Sequence, residues 1–198
     1  MCERDETLTT KSSDRNAVRE HARQMSLDAA ERLAGIDGIG GVGLKQLAEE
    51  AGLSTMGIYS HFGDRFGLEE ALLALSVSSL QARLSGLSTP SGTTLPEVAN
   101  ALRLWAHEHP ARFSVLFLTS HQLDAGLHSV ARESLLDIAR AVARLIGWKP
   151  QRAKSALSIL AAVSGFVAFE LRGLLGNTAA SEFDGLVTSL AQTVVAHS

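Results

Sequence analysis

The sequence has little of what marks several large classes of protein. It holds a single cysteine, Cys2, so a disulfide-stapled scaffold is excluded. Its 18 Lys and Arg are outnumbered by 21 Asp and Glu, and the net charge of −3 argues against nucleic-acid binding through bulk charge. The longest apolar stretch, residues 156–169, is too short to span a bilayer, and residues 1–16 contain no signal-peptide core. We therefore expect a cytoplasmic protein without a membrane partner.

What the sequence does have is helical periodicity along nearly its whole length. Apolar residues recur every three or four positions, and no segment shows the sustained alternation that predicts strands. These spacings predict an all-α fold. One such buried row is expected in the first helix, and it consists of Val18, Ala22, Met25, Ala29, Leu33 and Ile36.

Capping residues indicate where helices begin. Ser12, Ser13 or Asp14 is expected to cap the first helix, and Asp64 is expected to cap a helix that starts at Arg65. Residues 94–97 (Thr-Leu-Pro-Glu) form a capping box with proline inside it. Residues 85–93, rich in Ser, Gly and Thr, predict a linker between a small N-terminal helical unit and a larger C-terminal one.

Residues 44–62 have the spacing of a helix-turn-helix. A short helix over 44–51 is followed by Gly52, where a positive φ is expected, and by a second short helix that Ser54 caps. Such a helix can enter the major groove of DNA and present its first residues to base edges. Two short helices joined by a glycine also occur in proteins that bind no DNA. The residues available on the outer side of the second short helix are Thr55, Met56, Gly57, Tyr59 and Ser60.

The residues around this helix resemble those of the tetracycline-repressor-like (TetR) family of transcription regulators. Tyr59-Ser-His-Phe62 followed by Gly-Asp-Arg65 is similar to the family's signature at the end of its recognition helix. Residues 27–33 and 47–54 are similar to its first helix and to its second helix and turn. The resemblance implies a helix-turn-helix DNA-binding domain over 14–64, a connecting helix over 65–84, and a ligand-binding and dimerisation domain over 94–198.

The resemblance also assigns roles to residues of this sequence. Gly43 departs from the family pattern, because the family places a threonine there that caps the second helix and touches a phosphate. The resemblance implies base contacts from Thr55, Met56 and Gly57, and phosphate contacts from Tyr59, His61 and Arg65, with Lys45 at the rim.

The charge distribution is unusual for such a domain. Residues 1–70 contain 8 basic and 13 acidic residues, a net charge of −5. Affinity depends on the charges that face the phosphates, and we expect acids such as Glu69 and Glu70 to lie on faces that point away from DNA. The basic residues near the DNA are expected to be Lys11, Arg15, Arg19, Arg23, Lys45 and Arg65.

The C-terminal region carries half of the aromatic residues. Simple core packing accounts for them, but an apolar small-molecule pocket is also possible, and the resemblance supports one. Residues 151–176 and 181–197 are expected at a two-fold interface, because the apolar residues of 156–169 surround the helix. The candidate pocket residues are Trp105, Phe113, Phe117, Phe166 and Phe169.

Two other patterns carry little weight. Residues 38–43 match a dinucleotide-binding glycine motif by letter, but they follow a helix rather than a strand. His107 and His109 are two positions apart, so their side chains would point to nearly opposite sides of a helix. His121 and His128 are seven positions apart, which is two helical turns. Neither pair could hold one metal ion, so a metal site is not expected. We expect no cofactor and no enzymatic activity.

Two functions remain open from the sequence. The first is a homodimeric regulator, with repression the expected mode, that binds a near-palindromic double-stranded DNA operator and is released by a small-molecule effector. The second is a helical small-molecule-binding protein with a vestigial helix-turn-helix, which the acidic N-terminal half favours.

Overall fold

The computed structural model of the protein describes residues 4–37, 42–87, 92–118, 125–149 and 152–195. Within them the chain forms helices and a short 3₁₀ turn at Gly176–Thr178, and it forms no strand, so the expected all-α fold is confirmed. The helices are α1 (Arg4–Asp37), α2 (Leu44–Ala51), α3 (Thr55–Phe62), α4 (Arg65–Ser85), α5 (Leu95–Glu108), α6 (Pro110–Phe117), α7 (Ala125–Leu145), α8 (Ala153–Leu171) and α9 (Ala179–Val195).

The first helix begins earlier than its sequence signals indicate. Because α1 starts at Arg4, residues 12–14 lie inside the helix and the expected cap there is wrong. Residues 5–26 contain neither proline nor glycine, so nothing stops the helix once it has formed. The expected buried row is also shorter than its pattern, since Val18 is 69% exposed and Met25 is 42% exposed.

The chain divides into two compact units, Met1–Leu72 and Leu73–Ser198, and the division falls within α4. In the first unit, α1 packs against α2 and α3, and α2 packs against α3. The core of this unit consists of apolar residues from all three helices and from the first turns of α4. These fully buried residues are Ala29, Ala30, Leu47, Ile58 and Leu68.

In the second unit, α8 packs against α5, α7 and α9, and α5 also contacts α6 and α9. The capping box at the start of α5 is confirmed. The Thr94 side chain accepts a hydrogen bond from the Glu97 amide, and the Glu97 carboxylate accepts one from the Thr94 amide at 2.7 Å. The largest fully buried side chains of the second unit are Trp105, Phe113 and Phe183.

Helix α8 is longer than the apolar stretch that the sequence shows. By length and composition alone, Lys154–Leu171 is long and apolar enough to cross a membrane, although the core helix of a soluble protein passes the same test. Only 39% of this segment is buried within the chain. Most of its large apolar side chains are buried, and the exposed apolar positions are Ala161 and Phe169, with Gly165 between them.

Candidate nucleic-acid interface

The turn between α2 and α3 has the geometry that its sequence predicts. Gly52 ends α2 with φ 65°, a left-handed conformation that favours glycine. The Leu53 amide donates to the Ala48 carbonyl oxygen at 2.9 Å, which closes the end of α2. Ala48 is buried in this corner, so the two helices pack closely.

The recognition-helix candidate, α3, is held at its start and along its inner face. The Ser54 hydroxyl accepts a hydrogen bond from the Gly57 amide at 3.0 Å, which confirms Ser54 as the cap. Ile58 is fully buried and Phe62 nearly so, and both anchor α3 against the core of the first unit. Ser60 donates a hydrogen bond to the Gly57 carbonyl oxygen at 2.8 Å.

The outer face of α3 is open to solvent. Met56 is 78% exposed and Tyr59 is 46% exposed, so two large side chains are displayed without a partner in the core. Thr55 and Ser60 are exposed beside them, whereas Gly57 and His61 are half-buried. The structure thus brings the sequence-predicted residues of α3 together on one short helix.

The start of α4 is fixed by a tight corner. The Asp64 carboxylate accepts a hydrogen bond from the Gly67 amide at 2.9 Å, as a capping residue does. A Cβ atom on Gly67 would lie 2.0 Å from the Phe62 carbonyl oxygen, so this position has no room for a side chain. The sequence alone gave no reason to single out Gly67, because the close approach depends on how α3 and α4 meet.

Arg65 has a carboxylate partner one turn further along α4. Its Nε donates to Glu69 Oε1 at 2.8 Å, and Glu69 is only 7% exposed. The expectation that Glu69 faces away from DNA stays a prediction, and the structure adds that Glu69 is buried and paired with Arg65. The residue lies one turn after Arg65, on the side of α4 that packs inward, and it orients the Arg65 guanidinium.

Cations are scarce in this part of the chain. Residues 27–70 contain three basic residues against eight acidic ones, a net charge of −5. Arg32 pairs with Glu50 at 3.1 Å, just as Arg65 pairs with Glu69. Lys45, on the exposed side of α2, is the remaining cation of this segment.

The five candidate pocket aromatics occupy different environments in the second unit. Trp105 and Phe113 are buried, and the Trp105 indole donates to the Ser79 hydroxyl at 2.9 Å. The ring of Phe117 lies 5.1 Å from that of Phe113, and the ring of Phe166 lies 5.5 Å from that of Phe183. Phe169 is 52% exposed.

A small apolar cavity lies elsewhere in the same unit. It has a volume of about 10 Å³, and its walls come from α4, α5, α7 and α8. None of the five candidate aromatics lines it. The lining residues are Leu80, Leu84, Leu95, Val98, Ala99, Leu102, Val142, Ile159, Leu160 and Val163.

A charged cluster that the sequence did not indicate joins α5 to α8. Arg103 Nε donates to Glu170 Oε2 at 2.8 Å, a second guanidinium nitrogen bonds the other oxygen, and His107 Nε2 lies 3.3 Å from Glu170 Oε2. The guanidinium also lies 4.7 Å from the centre of the Phe183 ring. The hydrogen bonds from Arg103 lower the pKa of the Glu170 carboxyl, with a smaller contribution from His107, against the opposing effect of burial.

The remaining sequence patterns add no site. In the part of the chain that the structure describes, no three His, Cys, Asp or Glu side chains are placed to hold a metal ion. His121 and the glycine-rich residues 38–41 lie outside the described residues.

An all-α chain whose first unit displays a capped, solvent-facing second helix of a helix-turn-helix has the architecture that a class of DNA-binding regulators shares. Residues 27–72 match the family profile of bacterial regulatory proteins of the tetR family, and residues 95–194 match that of the tetracyclin repressor-like C-terminal domain. The chain belongs to the TetR family of transcription regulators. No curated protein sequence matches it.

Solved structures share the fold. A TetR-like transcriptional regulator from Rhodococcus sp. RHA1 is 21% identical, with a TM-score of 0.66, and the match covers 92% of this chain and 98% of that one. A tetR family transcription regulator from Shewanella sp. PV-4 is 21% identical with a TM-score of 0.56, covering 85% and 97%. A variant of TetR from Acinetobacter baumannii AYE, in complex with minocycline, is 20% identical with a TM-score of 0.55, covering 85% and 93%.

Proposed function

We propose that this protein is a cytoplasmic, homodimeric repressor that binds a near-palindromic operator and is released by a small-molecule effector. The observation that carries the proposal is the exposed face of α3, where Met56 and Tyr59 project from a helix anchored by Ile58 and Phe62. A short helix fixed on one side and open on the other is suited to entering a major groove. Thr55, Met56 and Gly57 would face bases, with Ser54 and Ser60 beside them.

Phosphate contacts would flank this helix. Tyr59 and His61 lie toward its C-terminal end, Arg65 opens α4, and Lys45 lies on α2. Each protomer would place few cations against the phosphates, so its non-specific affinity for DNA would be weak. Specific contacts would then supply more of the binding free energy. The logarithm of the binding constant should therefore fall with the logarithm of salt concentration at a slope no steeper than about −8 for the dimer.

An apolar effector fits the second unit. The cavity lining is hydrocarbon throughout, and its volume of about 10 Å³ holds no more than one water molecule. Occupancy by a larger molecule requires the surrounding helices to separate, which is how an effector would favour a second conformation over the first. The aromatic residues Trp105, Phe113, Phe117, Phe166 and Phe169 belong to the same unit and could line an enlarged pocket.

A second copy of the chain would cover the apolar surface of α8. Ala161, Gly165 and Phe169 are exposed at intervals of four residues, so they share one face. The small side chains at 161 and 165 permit close approach of another helix. Pairing of α8 and α9 with the partner's copies would form a four-helix interface.

The proposal is tested with duplex DNA that flanks the protein's own gene. The wild-type protein should retard one palindromic fragment at low salt, and the double variant Tyr59→Ala/Arg65→Ala should not. The double variant Arg132→Ala/Arg144→Ala removes two exposed cations from α7 and should leave the retarded band unchanged. Absence of any retarded fragment with the wild-type protein would instead favour a small-molecule-binding protein with a vestigial helix-turn-helix.

A further inference from the structure

The recognition-helix candidate lacks the side chains that most often read DNA bases through hydrogen bonds. Residues 52–63, which hold α3 and its two flanking turns, contain no Arg, Lys, Asn, Gln, Asp or Glu. In the major groove, Arg and Lys pair with guanine, Asn and Gln pair with adenine, and Asp and Glu pair with cytosine. A recognition helix without any of these residues has to distinguish base pairs by other contacts.

The polar groups of α3 are in part used within the helix itself. Ser54 accepts a hydrogen bond from the Gly57 amide at 3.0 Å, and Ser60 donates its proton to the Gly57 carbonyl oxygen at 2.8 Å. His61 is half-buried in the last turn, whereas the first residues of a recognition helix are those that contact base edges. Thr55 is exposed at that end, and it carries both a hydroxyl and a methyl group.

Met56 dominates the leading end of α3. Its side chain is 78% exposed, which is more than any other large apolar side chain in the described part of the chain. It is the second residue of the helix, so it lies where base contacts are made. Removing so much apolar surface from water is favourable, and an apolar group on the DNA would therefore gain affinity by covering it.

The 5-methyl group of thymine is the apolar group that the major groove offers. It projects into the groove, whereas adenine, guanine and cytosine are read there through hydrogen-bonding atoms. A methionine side chain has three rotatable bonds and a polarizable sulfur, so it can adjust to the position of a methyl group. Gly57, which follows Met56, carries no side chain that would hold the helix away from the bases.

We propose that Met56 is the specificity-determining residue of α3 and that it reads thymine 5-methyl groups in each operator half-site. The inference rests on the proposed DNA-binding function. It adds to that function the class of base pair that the helix distinguishes. T·A pairs opposite Met56 are recognised by burial of a methyl group and not by a hydrogen bond.

The test uses duplexes that the wild-type protein selects from a random pool about three helical turns long. Each thymine of a selected duplex is replaced in turn by uracil, which lacks only the 5-methyl group, and affinity is measured by fluorescence anisotropy. Replacing the contacted thymine in one half-site should weaken binding about fourfold, and replacing its symmetry mate as well should weaken binding about 15-fold in all. With a G·C pair at that position, 5-methylcytosine should bind about fourfold more tightly than cytosine.

Variants at position 56 assign the effect to this side chain. In Met56→Ala, uracil should bind as tightly as thymine, because the methyl group has lost its partner, whereas Met56→Leu should keep the preference for thymine. Alanine is at least as good a helix former as methionine and the site is exposed, so Met56→Ala should stay folded. The matched control Leu104→Ala removes an apolar side chain that is 56% exposed in the second unit, and it should keep the wild-type preference.

Each outcome bears on a particular proposal. A wild-type protein that selects no duplex overturns both the DNA-binding function and the reading of thymine. Selected duplexes in which no uracil replacement weakens binding overturn the reading of thymine and leave the DNA-binding function standing. A thymine preference that Met56→Ala retains overturns the role of Met56, and its loss in Thr55→Ser, which keeps the hydroxyl and removes the methyl group, would assign the contact to Thr55.

Discussion

The Arg103–Glu170 pair shows how a single long-range contact ties helices together. The two residues lie 67 positions apart in sequence, and their side chains are only 19% and 12% exposed. Two charges taken out of water are stabilising as a pair only when their hydrogen bonds are satisfied. Here both carboxylate oxygens are bonded by Arg103, and His107 approaches one of them, so loss of either partner would leave a partly buried charge unpaired.

Replacing Glu170 by glutamine should therefore lower the free energy of unfolding by about 1–2 kcal/mol at pH 7, between the values typical of exposed and of buried pairs. The Glu170 pKa is depressed in the folded protein, so its stabilisation is present above the ordinary carboxyl range and is lost as pH falls below about 4. The difference between wild type and Glu170→Gln in urea unfolding should shrink accordingly between pH 7 and pH 3.

The matched control for this experiment is Asp137→Asn. Asp137 pairs with Arg140 at 2.6 Å, but both side chains are about half exposed, so its loss should destabilise the protein less than the loss of Glu170 does. A Glu170→Gln effect no larger than that of Asp137→Asn, or one that persists undiminished at pH 3, would contradict the assignment.

At the scale of helices, the sequence predicted most of the local structure. Ser54, Asp64 and Thr94 cap the helices that their patterns indicate, and Gly52 adopts the positive φ that the turn requires. These features depend on residues within four positions of one another, so they can be read from a short segment. The start of α1 was mispredicted because capping residues inside a continuous helix carry the same letters as true caps.

What the sequence did not predict depends on how elements meet. Glu69 is buried and Gly67 has no room for a side chain because of the way α4 follows the end of α3. The apolar residues of the cavity lie on four helices, and each looks like ordinary core in its own segment. Neither the contact partners nor the gap between them can be derived from periodicity alone.

The corner between α3 and α4 should be intolerant of a single methyl group. Gly67→Ala places a Cβ atom 2.0 Å from the Phe62 carbonyl oxygen, so the corner must open at a cost of about 2 kcal/mol. Because Arg65 lies in the same turn, its proposed phosphate contact would move as well. Thermal unfolding and DNA binding should both weaken.

Gly57→Ala is the matched control, since it adds the same methyl group one helix earlier. A Cβ atom at 57 would lie 3.4 Å from the Ser54 hydroxyl oxygen and 3.8 Å from Leu53 Cβ, which are contacts that small shifts accommodate. Helix propensity should then raise stability by up to about 1 kcal/mol. Its methyl group would lie at the proposed base-facing surface, so operator affinity should fall while stability does not. Equal losses of stability from Gly67→Ala and Gly57→Ala would contradict the claim that the corner between α3 and α4 has no room for a side chain.

At the scale of the whole molecule, the question is what covers α8. Lys154–Leu171 is strongly apolar, and one of its large apolar side chains, Phe169, is 52% exposed. Ala161 and Gly165 are exposed on the same face as Phe169, and small residues next to a large apolar one favour a partner helix over solvent. A two-fold pairing would cover this face on both copies and would present two α3 helices to a two-fold symmetric operator.

Gly165→Glu should therefore separate the proposed dimer without unfolding the single chain. A Cβ atom at 165 meets no heavy atom within 4 Å in the chain, so the new side chain has space in the monomer, whereas a carboxylate in an apolar interface is strongly unfavourable. Sedimentation equilibrium should give a wild-type dimer and a variant with the protomer mass of 21.0 kDa. Operator affinity should fall with it, because each monomer engages one half-site.

Leu104→Glu places the same charge on α5, where Leu104 is 56% exposed, and it should leave the dimer intact. Dissociation by Leu104→Glu, together with a dimeric Gly165→Glu, would move the interface from α8 to α5. A wild-type protein that sediments as a monomer would leave the apolar face of α8 without a second copy to cover it. The two substitutions thus distinguish a dimer interface on α8, which the sequence and the exposed residues favour, from one at Leu104 on α5, for which there is no such support.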